Sequence, residues 1–277
     1  MSVRLIASDL DGTLLDPSGR IAEADADALR EASQAGVTIV IATGRPLRWL
    51  TPLEAIADVR PLVIVSNGAA VWDLRRRRIE QAAPLERTLV ACLADELRSA
   101  VPELVFALEE GTGFACEDAW LGHPPDTSRT RAQEEAVTDR GPLPRLLAQE
   151  RTVLKFLASH PDADADALLE RARAVIGGRA VVTHSVVGGR RALLEISAAG
   201  VTKAVTLARL CADRGIEASE VAAFGDMPND TEMLDYAGRP FAMANAHPSL
   251  RARFPVIGGN HEAGVGAQVR ALLARGQ

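Results

Sequence analysis

Short apolar runs alternate with a helix-period segment along the first part of the chain. The apolar runs are Val3–Leu10, Val37–Ala42 and Leu62–Val65, and the helix-period segment Ala22–Ala35 lies between the first two. Continuous apolar strands that are separated by helices are typical of a parallel sheet covered on both faces. We therefore predict that the chain begins with an α/β fold.

The pattern changes between residues 70 and 196. Ala70–Leu74 and Ile79–Gln81 predict a hairpin that leaves the sheet, and residues 84–196 predict an α+β unit that approximately repeats itself. The predicted segments of this unit are a helix (Leu89–Ala100), a hairpin (Leu104–Leu108 and Phe114–Glu117), a polar stretch (Gly122–Pro144), a strand (Val153–Ala158), a helix (Ala163–Val175) and two strands (Ala180–Val186 and Ala192–Ile196).

The parallel-sheet pattern resumes after residue 197. The predicted elements are a helix (Val201–Arg214), a strand (Val221–Phe224), a helix (Met227–Ala237) and two short strands (Phe241–Met243 and Pro255–Ile257). We therefore predict a doubly wound, mainly parallel, Rossmann-like α/β core made of residues 1–83 and 197–277. Residues 84–196 are predicted to form an inserted α+β domain.

Composition narrows the class of protein. The chain has 277 residues, of which 25% are charged, and a formal net charge of -6. This acidic balance argues against a surface dedicated to nucleic acid or to an anionic membrane. Three cysteines without a Cys-x-x-Cys pair indicate neither a disulfide framework nor a zinc site. Asp9 and Asp11 interrupt any apolar leader, and no later run reaches the length of a membrane span, so we expect a cytoplasmic protein.

Two acidic residues follow the first predicted strand. Asp9 and Asp11 are two positions apart, so an extended backbone directs both side chains to one side at the carboxyl edge of the sheet. Two carboxylates about 4 Å apart repel by roughly 4 kcal/mol at an effective dielectric constant of 20, which implies a bound cation or a raised pKa. Taken alone, an Asp-Gly turn with solvated acids explains this segment equally well. A calcium-binding EF-hand loop is excluded, because Leu14 stands where that loop requires glycine.

Three further segments carry candidate chemistry. Thr43-Gly44-Arg45 follows the second strand, where a hydroxyl before a helix either donates to an anion or simply caps the helix. Lys203 lies in the first turn of a helix, where its charge opposes the helix dipole, and a nearby phosphate would relieve this small penalty. Most lysines, however, are simply solvated. Asp226 ends another strand, and Asn229 and Asp230 follow in a first helical turn, where an acid also stabilises the helix itself.

In combination, these segments resemble the haloacid dehalogenase superfamily, and within it the Cof-type phosphatases that carry a large α/β cap domain inserted midway through the core. The matching segments are Asp9-Leu10-Asp11-Gly12-Thr13-Leu14, Thr43-Gly44-Arg45, Ser66-Asn67-Gly68-Ala69, Lys203, Gly225-Asp226-Met227-Pro228-Asn229-Asp230 and Ala242-Met243-Ala244-Asn245-Ala246. The chain departs from the family pattern at residues 260–265, and we expect this departure to affect only a peripheral loop.

The resemblance implies a Mg²⁺-dependent phosphatase that acts on small phosphorylated metabolites. It implies that Asp9 is the nucleophile and forms an aspartyl-phosphate, while Asp11 protonates the leaving group and then activates water. It also implies that Mg²⁺ is held by the Asp9 carboxylate, the Asp11 backbone carbonyl and Asp226, with Asp230 orienting a water from behind these ligands.

The resemblance assigns the phosphate-binding groups as well. Thr43 and Lys203 are expected to hold phosphoryl oxygens. The weaker candidates for lining the phosphate or substrate site are Gly44, Arg45, Asn67, Gly68 and Asn229. The inserted domain is expected to close over the site as a cap and to select the leaving group, and its residues His184 and Arg190 are candidates for facing the substrate.

Other functions stay open at this level. A phosphomutase or a narrow sugar-phosphate phosphatase would use the same core, and transfer to a second substrate hydroxyl would identify the mutase. A signalling receiver phosphorylated on Asp9 shares the strand-end acids, the threonine and the lysine, but lacks such an insert. An inactive metal-binding relative is the remaining alternative. Arg75-Arg76-Arg77-Arg78 is interpreted as a solvated hairpin tip, and no nucleic-acid partner is expected.

Overall fold

The computed structural model describes residues 3–120, 137–186 and 192–274, and for residues 184–186 it describes the backbone alone. The strands are β1 (Leu5–Ser8), β2 (Thr38–Ala42), β3 (Leu62–Val65), β4 (Ala70–Asp73), β5 (Arg78–Ala82), β6 (Val105–Glu110), β7 (Gly113–Cys116), β8 (Val137–Arg140), β9 (Lys155–His160), β10 (Ala180–Val186), β11 (Ala192–Ala198), β12 (Val221–Gly225), β13 (Arg239–Met243) and β14 (Val256–Ile257).

The α-helices are α1 (Glu23–Gln34), α2 (Arg87–Ala100), α3 (Leu143–Leu147), α4 (Ala165–Ile176), α5 (Lys203–Asp213), α6 (Thr231–Tyr236), α7 (Pro248–Arg251) and α8 (Gly264–Ala274). None of the described helices has both the length and the apolar character needed to cross a bilayer.

The chain divides into two compact units. The first comprises Met1–Arg45, Trp49–Gln81 and Thr202–Gln277, and the second comprises Pro46–Arg48 and Ala82–Val201. The roles predicted for the core and for the cap domain stay predictions.

The first unit contains an eight-stranded sheet in the order β14-β13-β12-β1-β2-β3-β4-β5. Parallel pairing runs continuously from β14 to β3, and β1 lies between β12 and β2 with all four of its residues buried. Helices follow β1, β2 and β12 along the chain, which is why these strands appear in the sequence as continuous apolar runs. The predicted α/β fold with a mainly parallel sheet is confirmed.

The hairpin of β4 and β5 extends this sheet, so the prediction that it leaves the sheet is wrong. β4 pairs antiparallel with β3, from Val65 opposite Ala70 to Leu62 opposite Asp73. The reversal is made by a turn at residues 66–68, all three of which have positive φ angles. Because Ala70 and Val71 are buried, the apolar half of the hairpin belongs to the core of the unit.

The second unit contains a six-stranded sheet in the order β10-β11-β9-β6-β7-β8. Helices α2 and α4 pack together, and their apolar residues form one cluster with inward-facing residues of β6, β9 and β11, such as Phe106, Phe156 and Leu194. Strand β8 lies within the predicted polar stretch and helix α3 begins at its end. Neither was predicted, and the alternating half-exposed residues of β8 give little apolar signal. Residues 121–136 of that stretch lie outside the described residues.

A buried aspartate joins α1 to α8 in the first unit. Asp25 is 1% exposed, and its Oδ1 accepts a hydrogen bond of 2.6 Å from the backbone N–H of Gly266. Its Oδ2 is buried without a hydrogen-bond partner among the described residues. Burial raises the pKa of Asp25 to about 6, although the Gly266 hydrogen bond and Arg270 lower it in part. The carboxylate therefore fixes the start of α8 at a cost when it is ionised.

We expect the stability that Asp25 contributes to fall as the pH rises. Its folded pKa of about 6 lies above the ordinary value of 3.8, so this stability is complete below pH 3.8 and is lost as the pH passes 6. The loss amounts to roughly 2–3 kcal/mol. In urea denaturation, the unfolding free energy of the wild type minus that of Asp25→Asn should decrease by this amount between pH 4 and pH 7.5. A similar decrease for Asp27→Asn, whose side chain is 51% exposed on the same helix, would contradict the assignment.

Candidate active site

Three parallel strands of the first unit end in polar residues at one edge of the sheet. Asp9 follows β1 and donates its backbone N–H to Phe224 O at 2.9 Å, while Thr43 follows β2 and donates to Ile64 O at 2.8 Å. Asp226 directly follows β12, the other neighbour of β1. The sheet ladder thus fixes the backbone of these side chains, at the edge where α/β sheets bind ligands.

A buried lysine connects two of the predicted acidic residues. Lys203, at the start of α5, places its Nζ 2.5 Å from Asp9 Oδ1 and 2.7 Å from Asp230 Oδ1. Asp9, Asp226 and Asp230 each have an oxygen within 4.8 Å of the others, and all three are buried. Three carboxylates and one ammonium give this cluster a formal charge of -2 when all are ionised.

The cluster changes the acidity of its members. Burial raises the pKa of Asp9 well above its ordinary value, Lys203 opposes this, and the charges of Asp230 and Asp226 add to it. Burial and the charge of Asp230 raise the pKa of Asp226 to about 6. Although burial lowers the pKa of Lys203, the carboxylates of Asp230 and Asp9 raise it overall, so Lys203 stays protonated. The protein therefore holds more buried negative charge here than its own lysine balances.

The donor set fits a divalent cation. Carboxylate oxygens are the ligands that hard cations such as Mg²⁺ prefer, and the uncompensated charge of the cluster matches such an ion. Gly12 helps to form the site, because a Cβ at this position, where φ is +80°, would lie 2.3 Å from Asp226 Oδ2. The Asp226 carboxylate can thus pack directly against the Asp-x-Asp turn.

Asp230 is held by protein groups through both of its oxygens. Oδ1 accepts from Lys203, and Oδ2 accepts from the backbone N–H groups of Asp226 and Met227, each at 3.1 Å. The carboxylate therefore orients Lys203 and the turn that follows β12.

Asp11 and Arg45 form an ion pair that the sequence did not predict. Arg45 Nε donates to Asp11 Oδ2 at 2.8 Å, and Nη2 donates to Oδ1 at 2.6 Å. Arg45 Nη1 donates to the carbonyl of Trp49 at 3.0 Å. The Asp11 side chain is 48% exposed, in contrast to Asp9, whose side chain is 7% exposed.

The segment after Thr43 differs from the prediction of a helix that starts there. Thr43 Oγ1 accepts the backbone N–H of Arg45 at 3.0 Å in a turn, and the first helical residue is Leu47, in a short 3-10 helix. A second 3-10 helix spans Thr51–Val59. Pro46 explains the difference, since it lacks an N–H and disfavours helical backbone in the residue before it. Thr43 is therefore not the N-cap of the helix that follows it, which begins four residues later at Leu47.

The turn at Ser66, Asn67 and Gly68 supports the Thr43 loop and α5. Ser66 N–H donates to Arg45 O, and Asn67 N–H donates to Thr43 O, both at 3.0 Å. Thr206 Oγ1 of α5 donates to Gly68 O at 2.8 Å. The φ angles of Ser66 and Asn67 are 52° and 57°, an uncommon conformation that costs free energy and marks functional sites.

The remaining predicted site residues differ in burial and in their local contacts. Gly44 is half-buried and lies close to the Asn67 side chain. A Cβ at position 44 would be only 3.1 Å from Asn67 Oδ1. Asn229 is exposed in the turn Pro228–Asp230. Arg190 and the side chain of His184 lie outside the described residues.

Three residues near the site had no predicted role. Thr13 is fully buried and donates its hydroxyl to Asp226 Oδ1 at 3.0 Å. Asn245 Nδ2 donates to Gly12 O at 2.7 Å, and Asn260 Nδ2 donates to Leu15 O at 2.7 Å. The prediction that the loop at residues 260–265 is peripheral is therefore wrong, because Asn260 is buried against the segment that follows Asp11. Thr13 and Asn245 lie in segments that match the family pattern, which is the sequence signal that could have identified them, whereas Asn260 lies where the chain departs from that pattern.

The fold and the site together define an α/β enzyme whose acidic centre lies at the carboxyl edge of parallel strands. Residues 6–268 match the model of the haloacid dehalogenase-like hydrolases, and the chain belongs to that family. The predicted superfamily, its Cof-type subfamily and the enzyme class, a phosphoric monoester hydrolase, are confirmed.

Relatives match over nearly the whole chain. An HMP-PP phosphatase from Cronobacter sakazakii is 31% identical over 264 residues, covering 91% of this chain and 88% of its own. The Bacillus subtilis 5-amino-6-(5-phospho-D-ribitylamino)uracil phosphatase YcsE is 28% identical over 275 residues, covering 98% and 96%. A crystal structure of a haloacid dehalogenase-like hydrolase from Bacteroides thetaiotaomicron has the same fold, with a TM-score of 0.79, 23% identity, and coverage of 98% of this chain and 100% of its own.

We expect Gly68→Ala to damage the site through the position of α5. A Cβ here would lie 2.5 Å from the carbonyl oxygen of Thr202, at a φ of +114°. The change should reduce the unfolding free energy by roughly 3 kcal/mol. Because the backbone before Lys203 must shift, kcat should fall by about 100-fold. The measurements are urea denaturation and steady-state phosphate release.

The control for this prediction is Gly215→Ala, just beyond the other end of α5. Gly215 has a φ of +59°, but a Cβ there meets nothing within 4 Å in the part of the chain that is described. This variant should lose only about 1–2 kcal/mol and keep its kcat. An equal loss of kcat in both variants would contradict the positional explanation.

Proposed function

We propose that the protein is a Mg²⁺-dependent phosphatase of small phosphorylated metabolites that works through an aspartyl-phosphate on Asp9. The observation that carries this proposal is the buried cluster in which Lys203 bridges Asp9 and Asp230 beside Asp226. It provides a fixed carboxylate, a fixed cation and an excess of negative charge at one sheet edge.

In the first half-reaction, a carboxylate oxygen of Asp9 attacks the phosphorus atom, and the bond from phosphorus to the ester oxygen breaks. Asp11, which enters this half-reaction in its protonated form, gives its proton to the departing oxygen. In the second half-reaction, water attacks the phosphorus atom while Asp11 accepts its proton, and the bond from phosphorus to the Asp9 oxygen breaks. This regenerates the Asp9 carboxylate and releases inorganic phosphate. The large difference in exposure between Asp9 and Asp11 supports this division between a fixed nucleophile and an acid in contact with solvent.

The other residues support these steps. Asp9 and Asp226, with the Asp11 carbonyl, would hold Mg²⁺, which supplies charge neutralisation for the incoming phosphate. Asp230 is engaged by Lys203 and two backbone N–H groups, which supports a role in orienting the site rather than binding the metal directly. Lys203 and Thr43 are proposed to bind the phosphoryl group.

The proposed substrate class follows the relatives. The names of two of them state action on HMP-PP and on 5-amino-6-(5-phospho-D-ribitylamino)uracil, both small phosphorylated compounds. We propose that the second unit acts as the cap domain and selects the leaving group. Glu109, Lys155 and Glu195 lie on the face of its sheet opposite α2 and α4. Lys155 donates to Glu195 at 2.6 Å, so this face of the sheet is polar and charged, which suits a cap that receives a polar leaving group.

We expect Mg²⁺ to stabilise the folded protein through Asp226. At a concentration 100 times its Kd, the ion should raise the midpoint of thermal unfolding by about 5 °C. Asp226→Asn should remove most of this increase, since it deletes a carboxylate of the cluster. The matched control is Asp235→Asn, an exposed aspartate paired with Arg253, which should keep the full increase. Equal responses of the two variants to Mg²⁺ would place the ion elsewhere.

We expect Asp9→Asn to abolish turnover while the fold is kept. An amide is not a nucleophile towards phosphorus, so phosphate release from a panel of phosphorylated metabolites with Mg²⁺ should fall by at least about 10⁴-fold. Circular dichroism should match the wild type, and Mg²⁺ binding should be weaker but present. Turnover retained by Asp9→Asn on any good substrate would disprove the nucleophile assignment, and Asp235→Asn again serves as the active control.

A further inference from the structure

The guanidinium of Arg45 is committed to a carboxylate. Its Nε and Nη2 atoms, which form the fork that matches a carboxylate or a phosphate, both donate to Asp11. Nη1 is bonded to the Trp49 carbonyl. The edge with which an arginine normally grips phosphate is thus occupied by the residue that the proposed mechanism uses as acid and base.

Arg45 is also fixed at its backbone. Its N–H donates to Thr43 Oγ1, and its carbonyl accepts the N–H of Ser66. The Arg45 side chain is 15% exposed, whereas that of Asp11 is 48% exposed. A restrained arginine therefore holds a solvent-exposed carboxylate that would otherwise exchange among rotamers.

We propose that Arg45 is a positioning residue for Asp11 and acts on catalysis through it, rather than as a ligand of the substrate phosphate. The proposal rests on the proposed function. In it, the two cations have different tasks: Lys203 holds the proposed nucleophile, Asp9, and Arg45 holds the proposed acid and base, Asp11. Because the Asp11 side chain is 48% exposed, solvent screens this pair and its contribution to folding stability is small, so the value of the pair lies in the orientation of Asp11.

The leaving group provides the test. An alkyl phosphate needs a proton on its departing oxygen, whereas p-nitrophenolate departs without one. Because kcat/KM covers the steps up to departure of the leaving group, it isolates the acid role of Asp11. Arg45→Gln should lower kcat/KM about 100-fold for the best alkyl phosphate of the panel, and less than about fivefold for p-nitrophenyl phosphate. Asp11→Asn should show the same contrast between the two esters.

Two more variants separate positioning from phosphate binding. Arg45→Lys keeps the positive charge but loses the fork, so the deficit on the alkyl ester should persist. In the Asp11→Asn background, adding Arg45→Gln should lower kcat/KM on that ester less than about threefold further, because the residue through which Arg45 acts is already gone. The matched control is Arg270→Gln, which breaks a forked pair with Glu31 and should leave both kcat/KM values unchanged.

The outcomes are distinct. If Arg45→Gln instead lowered kcat/KM equally on both esters, mainly through a higher KM that Arg45→Lys restores, Arg45 would be shown to bind phosphate. That result would overturn the positioning role while leaving the proposed function intact. If the wild type with Mg²⁺ hydrolysed neither ester, the proposed function would fail, and the role of Arg45 with it. Thermal unfolding of each variant verifies that the fold is intact.

Discussion

The buried ammonium of Lys203 is the interaction on which the geometry of the site depends. Carboxylates placed this close repel one another by several kcal/mol per pair at protein-like dielectric constants. Lys203 offsets part of this repulsion by bonding the residue after β1 and the turn after β12 at once. Removing the lysine while the acids remain would leave buried charges that can only be protonated or hydrated. The position of α5 is therefore a condition for an ionised Asp9.

The position of α5 is determined by tertiary contact rather than by the helix itself. A cation in the first turn opposes the helix dipole, so the helix gains nothing locally from Lys203. Thr202 caps the helix by accepting the N–H of Val205, and the turn at residues 66–68 packs against the same end. The strained backbone of that turn has a purpose in this arrangement, since it brings the β3 connection close enough to hold both the Thr43 loop and the start of α5.

The sequence predicted best what is buried on two sides. Strands β1, β2 and β12 carry continuous apolar runs because they are interior strands of a sheet and each is followed by a helix, and their ends located Asp9, Thr43 and Asp226 at one edge. Strand β8 escaped prediction because it is a polar edge strand, and α8 because it begins with glycine and has no capping signal in its own sequence. Its start is fixed instead by Asp25, a residue from the other end of the chain.

Pairings set by loop geometry had no sequence signal either. Arg45 and Asp11 are 34 positions apart in the sequence. They meet because Pro46 disfavours helical backbone at Arg45 and because the turn after β3 holds the Arg45 backbone. This explains how two carboxylates only two residues apart acquire different surroundings. The sheet ladder fixes Asp9 in the interior beside an ammonium. Asp11 lies beyond the ladder with a side chain that is 48% exposed, and it is held by a guanidinium anchored by another loop. The parallel sheet supplies the site, and the loops at its edge distinguish the two acids.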